Sequence, residues 1–106
     1  MADSRINIPG KLVRGQPFEV RISIRHPMET GYRMDNAGKS IPRNVIRSFI
    51  CRYNGTVVFS ARLSSGIAAN PYLRFFITAL DSGDLDFEWA DDAGVRGSDR
   101  ASVTVA

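Results

Sequence analysis

The sequence predicts an all-β fold, an immunoglobulin-like antiparallel β-sandwich of about seven strands. Three observations carry this. Apolar and polar residues alternate with a period of two in several short runs, the pattern of half-buried strands. Turn signals rich in Gly, Asn and Asp separate those runs. No stretch sustains a helical period. The chain has 106 residues, 43% apolar and 24% charged. That suits a single domain spanning 1–106 with one core.

Taken in order, Arg5 to Ile8 is a short extended piece stopped by Pro9-Gly10. Lys11 to Arg14 is a second, stopped by Gly15. Pieces broken by Pro and Gly suit an edge strand. Phe18, Val20, Ile22 and Ile24 then alternate with Glu19, Arg21, Ser23 and Arg25. Asn44 to Tyr53 alternates loosely, because Val45-Ile46 and Phe49-Ile50 are adjacent apolar pairs. Such a strand is covered on both faces, or exposes apolar side chains to a partner. Asn54-Gly55 predicts a type I′ hairpin, since both residues tolerate positive φ. Val57, Phe59, Ala61 and Leu63 alternate with Thr56, Val58, Ser60 and Arg62. Tyr72 to Leu80 is aromatic and branched. Leu85, Phe87 and Trp89 alternate with Asp84, Asp86 and Glu88. Asp91 to Gly97 is a polar turn region, and Ala101, Val103 and Val105 close the chain in a last strand.

Two loops stand out. The first, His26 to Arg43, carries a His, a Glu, an Asp, three basic residues, two Met and a Tyr. A long connection with this content is a packed or functional loop. The second is Ser64 to Pro71.

Composition excludes several functions. The net charge is +3, and the fourteen basic residues are scattered. No basic run of the kind that tracks nucleic acid is present. No apolar run is long enough to span a membrane. With one His and one Cys, a closed zinc site cannot be assembled. Asp91-Asp92 with Asp81, Asp84, Asp86 and Glu88 could suggest calcium, but Asp84, Asp86 and Glu88 read as the wet face of a strand and EF-hand spacing is absent. No metal or cofactor is therefore expected. Cys51 has no nucleophile motif around it, so a structural thiol is preferred to a catalytic one. These readings favour an interaction module over an enzyme. The N-terminus shows no secretory h-region.

The segments HPMETGYRMDNAGKSIPRNVI, FICRYNGTVVFSARL, IAANPYLRFF and SGDLDFEWADDAG resemble the SoxZ family over Ile8 to Val105. The most specific parts are His26 to Gly31 and Ala69 to Tyr72. The resemblance implies a subunit that pairs with SoxY as a heterodimer, the SoxYZ carrier of thiosulfate oxidation. SoxY holds covalent sulfur intermediates on a Cys in a Gly-rich C-terminal arm. This chain has no such arm, so it resembles the non-carrying subunit, not an enzyme. The alternative is a thiol-dependent carrier or enzyme acting through Cys51. The resemblance also implies a periplasmic location, reached by export with SoxY, and contact with other Sox enzymes through the complex. The isolated chain is expected to self-associate through Val45 to Tyr53.

If the two loops share one end of the sandwich, they form a partner surface. Its candidate residues are His26, Met28, Glu29, Tyr32, Arg33, Met34, Arg43, Asn70 and Tyr72. The competing expectation is that Glu29 and the arginines pair with one another to hold the loop.

Overall fold

The computed structural model describes residues 4–26, 28, 34–41, 43–63 and 71–106. Within them lie seven strands: β1 (Ser4–Asn7), β2 (Pro17–Ile24), β3 (Ile46–Tyr53), β4 (Thr56–Arg62), β5 (Tyr72–Thr78), β6 (Gly83–Asp91) and β7 (Arg96–Val103). They form a three-stranded sheet in the order β1-β2-β5 and a four-stranded sheet in the order β4-β3-β6-β7. Every strand pairing is antiparallel. No helix occurs among the described residues. The immunoglobulin-like sandwich is thus as expected.

Alternation fixes which side chains fill the space between the sheets. Val20, Ile22 and Ile24 from one sheet meet Phe49, Leu85 and Phe87 from the other, all at most 1% exposed. Phe49 lies among Phe59, Phe75 and Phe87, with ring centroids 6.1 to 6.2 Å away. Phe59 of β4 and Phe75 of β5 stack at 4.1 Å and 4°. This stack joins the two edge strands on one side of the sandwich. Such pairs add about 0.5–1.5 kcal/mol beyond the area they bury.

The Asn54-Gly55 turn forms as read, with φ of 48° and 86°. Asn54 also ties its hairpin to β6: its Oδ1 accepts the Asp84 N–H at 3.0 Å. Beside it, the Tyr53 hydroxyl donates to the Asp81 carbonyl and accepts the Leu80 N–H.

Three expectations change. Lys11 to Arg14 is not a strand. Only Leu12 is buried there, in an isolated parallel bridge to Val105, because Gly15 turns the chain at a φ of 83°. The loose alternation around Val45 has a local cause. A register shift between Ile46 and Ser48 against β6 is a bulge, and it lets Val45 and Ile46 both reach the core at 0% exposure. The segment therefore supplies little of the exposed apolar face expected of it; only Ile50 turns outward, half-buried. A second shift, between Cys51 and Arg52 against β4, leaves Val57 at 51% exposure where an inward side chain was expected. The Asp91 to Gly97 region turns as expected: β6 ends at Asp91, residues 92–95 form the turn, and β7 begins at Arg96.

Gly97 faces Trp89 across the β6–β7 pair. A Cβ at Gly97 would lie 2.3 Å from the Trp89 Nε1. Gly97→Ala is expected to lower stability by about 1–2 kcal/mol, because the buried indole would have to shift to admit the methyl. Urea unfolding checks this; an unchanged midpoint would show that the indole can shift at no cost.

Candidate functional site

Ser23 of β2 stands opposite Tyr72 of β5, and the Ile24 N–H donates to the Pro71 carbonyl at 2.9 Å. The connections after β2 and before β5 therefore share one end of the sandwich. Ile46 at the start of β3 pairs with Asp91 at the end of β6, which brings the β6–β7 turn to the same end. Glu29, Tyr32, Arg33 and Asn70 lie outside the described residues, as does any pairing between Glu29 and the arginines.

His26 closes this end from inside. Its Nδ1 accepts the Met28 N–H at 2.9 Å, and its Nε2 lies 3.1 Å from the Asp91 Oδ2. An acceptor at Nδ1 leaves the ring proton of the neutral form on Nε2, donated to the carboxylate. Both nitrogens are engaged and the side chain is 11% exposed. His26 is thus placed to hold structure rather than to act as a general base. Asp91 also organises the turn beyond it: its Oδ1 accepts the Ala93 and Val95 N–H groups at 2.9 Å each. Burial pushes this carboxyl up. The His26 bond and the two backbone donors outweigh that, and hold it below the ordinary carboxylate value.

Met28, expected among the contact side chains, is instead a core residue. It is 4% exposed, and its Sδ accepts the Ile46 N–H at 3.3 Å. Met34 is the reverse, 65% exposed beside a turn built on the Asp35 carboxylate, which accepts the Ala37 and Lys39 N–H groups. Arg43 is exposed and its Nε lies 3.5 Å from the Asp92 Oδ2, while Arg47 reaches the other oxygen at 3.4 Å. Asp92 Oδ2 also accepts the Val45 N–H at 3.1 Å. Asp91 and Asp92 were missed as organisers of this end. The Asp-Asp-Ala-Gly string at 91–94 is a turn signature that could have found them.

Tyr72 is 56% exposed at the head of β5, and it does not stand alone. Phe76 is 65% exposed and Leu80, just past the strand, 56%. The period of two puts these side chains on the outer side of β5, an edge strand. Phe76 stands opposite Glu19, whose carboxylate takes Arg21 on one oxygen and Arg74 on the other at 3.4 Å. An apolar stripe, interrupted by Arg74 and Thr78 on the same side, follows one open edge of the sandwich. Phe76 and Leu80 were not picked out from sequence. The signal was the adjacent pair Phe75-Phe76, of which a half-buried strand can bury only one.

Cys51 is 0% exposed beneath this architecture. Burial, and then the Asp86 charge, push its thiol up to about 12, so thiolate is scarce near neutral pH. Cys51→Ser is expected to cost about 1–2 kcal/mol through a buried hydroxyl with no arranged partner. In the native chain the thiol should react with Ellman's reagent only as fast as the chain unfolds. Rapid labelling without unfolding would refute the burial.

Solved structures share this architecture. The superoxide reductase (neelaredoxin) of Ignicoccus hospitalis superposes with a TM-score of 0.74 at 22% identity, over 99% of this chain and 82% of that one. A mutant superoxide reductase (neelaredoxin) of Archaeoglobus fulgidus, in the reduced form, gives 0.63 at 18%, over 95% and 88%. The sulfur carrier protein SoxY of Chlorobium limicola gives 0.64 at 11%, over 97% and 78%. At such identities these likenesses show the fold alone, and no curated protein matches the chain. Fold and surface together define an immunoglobulin-like β-sandwich with an open, apolar-studded edge. The family is more specific: the family description "Sulphur oxidation protein SoxZ" matches residues 6–102, and the chain belongs to the SoxZ family. Its role lies in Sox sulfur oxidation.

Proposed function

We propose that this chain is the binding subunit that pairs with SoxY, and that covalent sulfur intermediates of thiosulfate oxidation ride on SoxY. The observation that carries this reading is the stripe of Tyr72, Phe76 and Leu80 along an edge strand. Large exposed aromatics clustered at an open edge suit a protein partner. The buried thiol of Cys51 supports leaving the sulfur chemistry to the partner. Without that partner, the stripe gives the isolated chain a route to self-association, in place of the β3 segment first suspected. Other Sox enzymes meet this subunit through the complex, and the pair works in the periplasm, where cell fractionation should find it.

The test is co-expression with the SoxY of the same organism, followed by size-exclusion chromatography and intact-mass measurement after thiosulfate turnover. A stable pair with sulfur adducts on SoxY alone is expected. An adduct on Cys51 that turnover requires, or two chains that elute apart, would overturn the proposal.

A further inference from the structure

The outer face of the four-stranded sheet is a separate surface from the β5 stripe. Its cross-strand rows follow from the register. Arg62 of β4 stands opposite Ser48 of β3, Ser48 opposite Ala90 of β6, and Ala90 opposite Arg96 of β7. Two arginines thus border a floor of two small residues. Neighbouring strands lie about 4.8 Å apart, so the two arginine backbones are about 14 Å apart. In the next row Ile50 and Ser98 flank Glu88. A cleft of about 530 Å³ opens here, lined by Ser48, Ile50, Ala90, Arg96 and Ser98 among others.

The charges on this face are unevenly used. Glu88 is taken by Arg52 at 3.1 Å. Asp86 and Asp84 are taken by Arg100, at 2.6 and 3.9 Å. Asp92 alone serves both Arg43 and Arg47 at the end of the sheet. Among the described residues, no carboxylate lies within ion-pair distance of Arg62 or Arg96. At this corner Arg43, Arg47, Arg52, Arg62 and Arg96, five arginines, therefore meet two carboxylates, Glu88 and Asp92. That local surplus is as large as the net charge of the whole chain, +3.

We propose that this corner is a second docking surface, and that it seats an extended acidic segment of a protein partner. The chemistry favours that occupant. Four rises of extended chain, from residue i to i+4, cover about 13 Å, close to the 14 Å from one border arginine to the other. Guanidinium groups take carboxylates bidentately, so a segment with acidic residues at both ends engages both borders at once. The small floor lets its backbone lie close. A lone small oxyanion reaches only one exposed arginine at a time. Single-stranded nucleic acid would need exposed stacking aromatics, and the one aromatic lining the cleft, Trp89, is buried at 8% exposure. The two opposite outer faces allow this partner and the occupant of β5 to bind together.

The test is an NMR titration of the ¹⁵N-labelled full chain with a synthetic peptide, acetyl-Glu-Ser-Gly-Ser-Glu-amide, at low salt. Inorganic sulfate and an oligothymidine are titrated separately. The peptide is expected to shift the amides of Ser48, Ala90, Arg96 and Ser98, with an affinity that falls as salt rises. Arg62→Ser with Arg96→Ser should weaken it at least tenfold with unchanged melting, and Phe76→Glu should leave it unaltered. Should the double variant unfold, Arg96→Ser alone must weaken binding severalfold. Failure of the peptide to move these amides, or equal binding by the arginine variants, would overturn the proposal. So would sulfate binding as tightly with the same shifts, or oligothymidine binding more tightly than the peptide.

Discussion

Phe76→Glu is expected to weaken pairing with SoxY by about a hundredfold, near 2.7 kcal/mol, while melting of the isolated chain stays almost unchanged. Phe76 is 65% exposed, so replacing it removes little from the fold. Surface substitutions of this kind stay within about 0.5 kcal/mol. At an interface the balance reverses. A buried aromatic anchor is worth about 2–4 kcal/mol, and a carboxylate in its place must be desolvated without a counter-ion. The same variant should suppress self-association of the isolated chain. Calorimetric titration against SoxY and a melting curve separate the outcomes. Unchanged affinity would mean that β5 faces solvent in the complex, and another surface would have to be sought.

The second large effect is expected at Asp91. Asp91→Ala removes the partner of His26 and the acceptor of two turn N–H groups, and should cost about 2–3 kcal/mol at neutral pH. The pH dependence has a definite sign. The carboxyl is held below its ordinary value of 3.8 in the fold. Its contribution is therefore complete above the unfolded value and is lost as the pH falls through the folded one. The wild-type chain should lose stability on acidification below about pH 4, whereas Asp91→Asn should lose less over the same interval. Denaturant midpoints measured from pH 7 to pH 2.5 check both statements. Parallel curves for the two proteins would remove Asp91 from the account.

Much of the architecture was legible because its signals are local. Asn54-Gly55 announces its turn whatever surrounds it. The alternation of Leu85, Phe87 and Trp89 identifies a strand and its inner face together. The bulge beside Ile46 was not legible, because an inserted residue looks the same as a strand buried on both faces. The exposure of Phe76 depends on β5 being an edge, and sheet order is set by contacts distant in sequence. The same holds for the loop end. His26 meets Asp91 across 65 positions, and no local pattern couples them. The resemblance in the central loop pointed to the family, but much of that loop lies outside the described residues. Met28 shows the limit of reading roles from residue type, since a flexible thioether suits a partner surface and a core gap equally.

The order of strands in the two sheets also governs how the chain must fold. The β3–β4 hairpin closes over two residues and the β6–β7 hairpin over the four between Asp91 and Arg96, so these contacts form with little loop-closure cost. The β2–β5 ladder pairs Ser23 with Tyr72 and must wait for the whole intervening segment to be arranged. Such non-local pairing places folding in the slow range of milliseconds to seconds. Trp89, the one tryptophan, sits in the four-stranded sheet. Its fluorescence should therefore reach the native signal before amide protection develops in β2. Simultaneous development would mean that both sheets condense in one step.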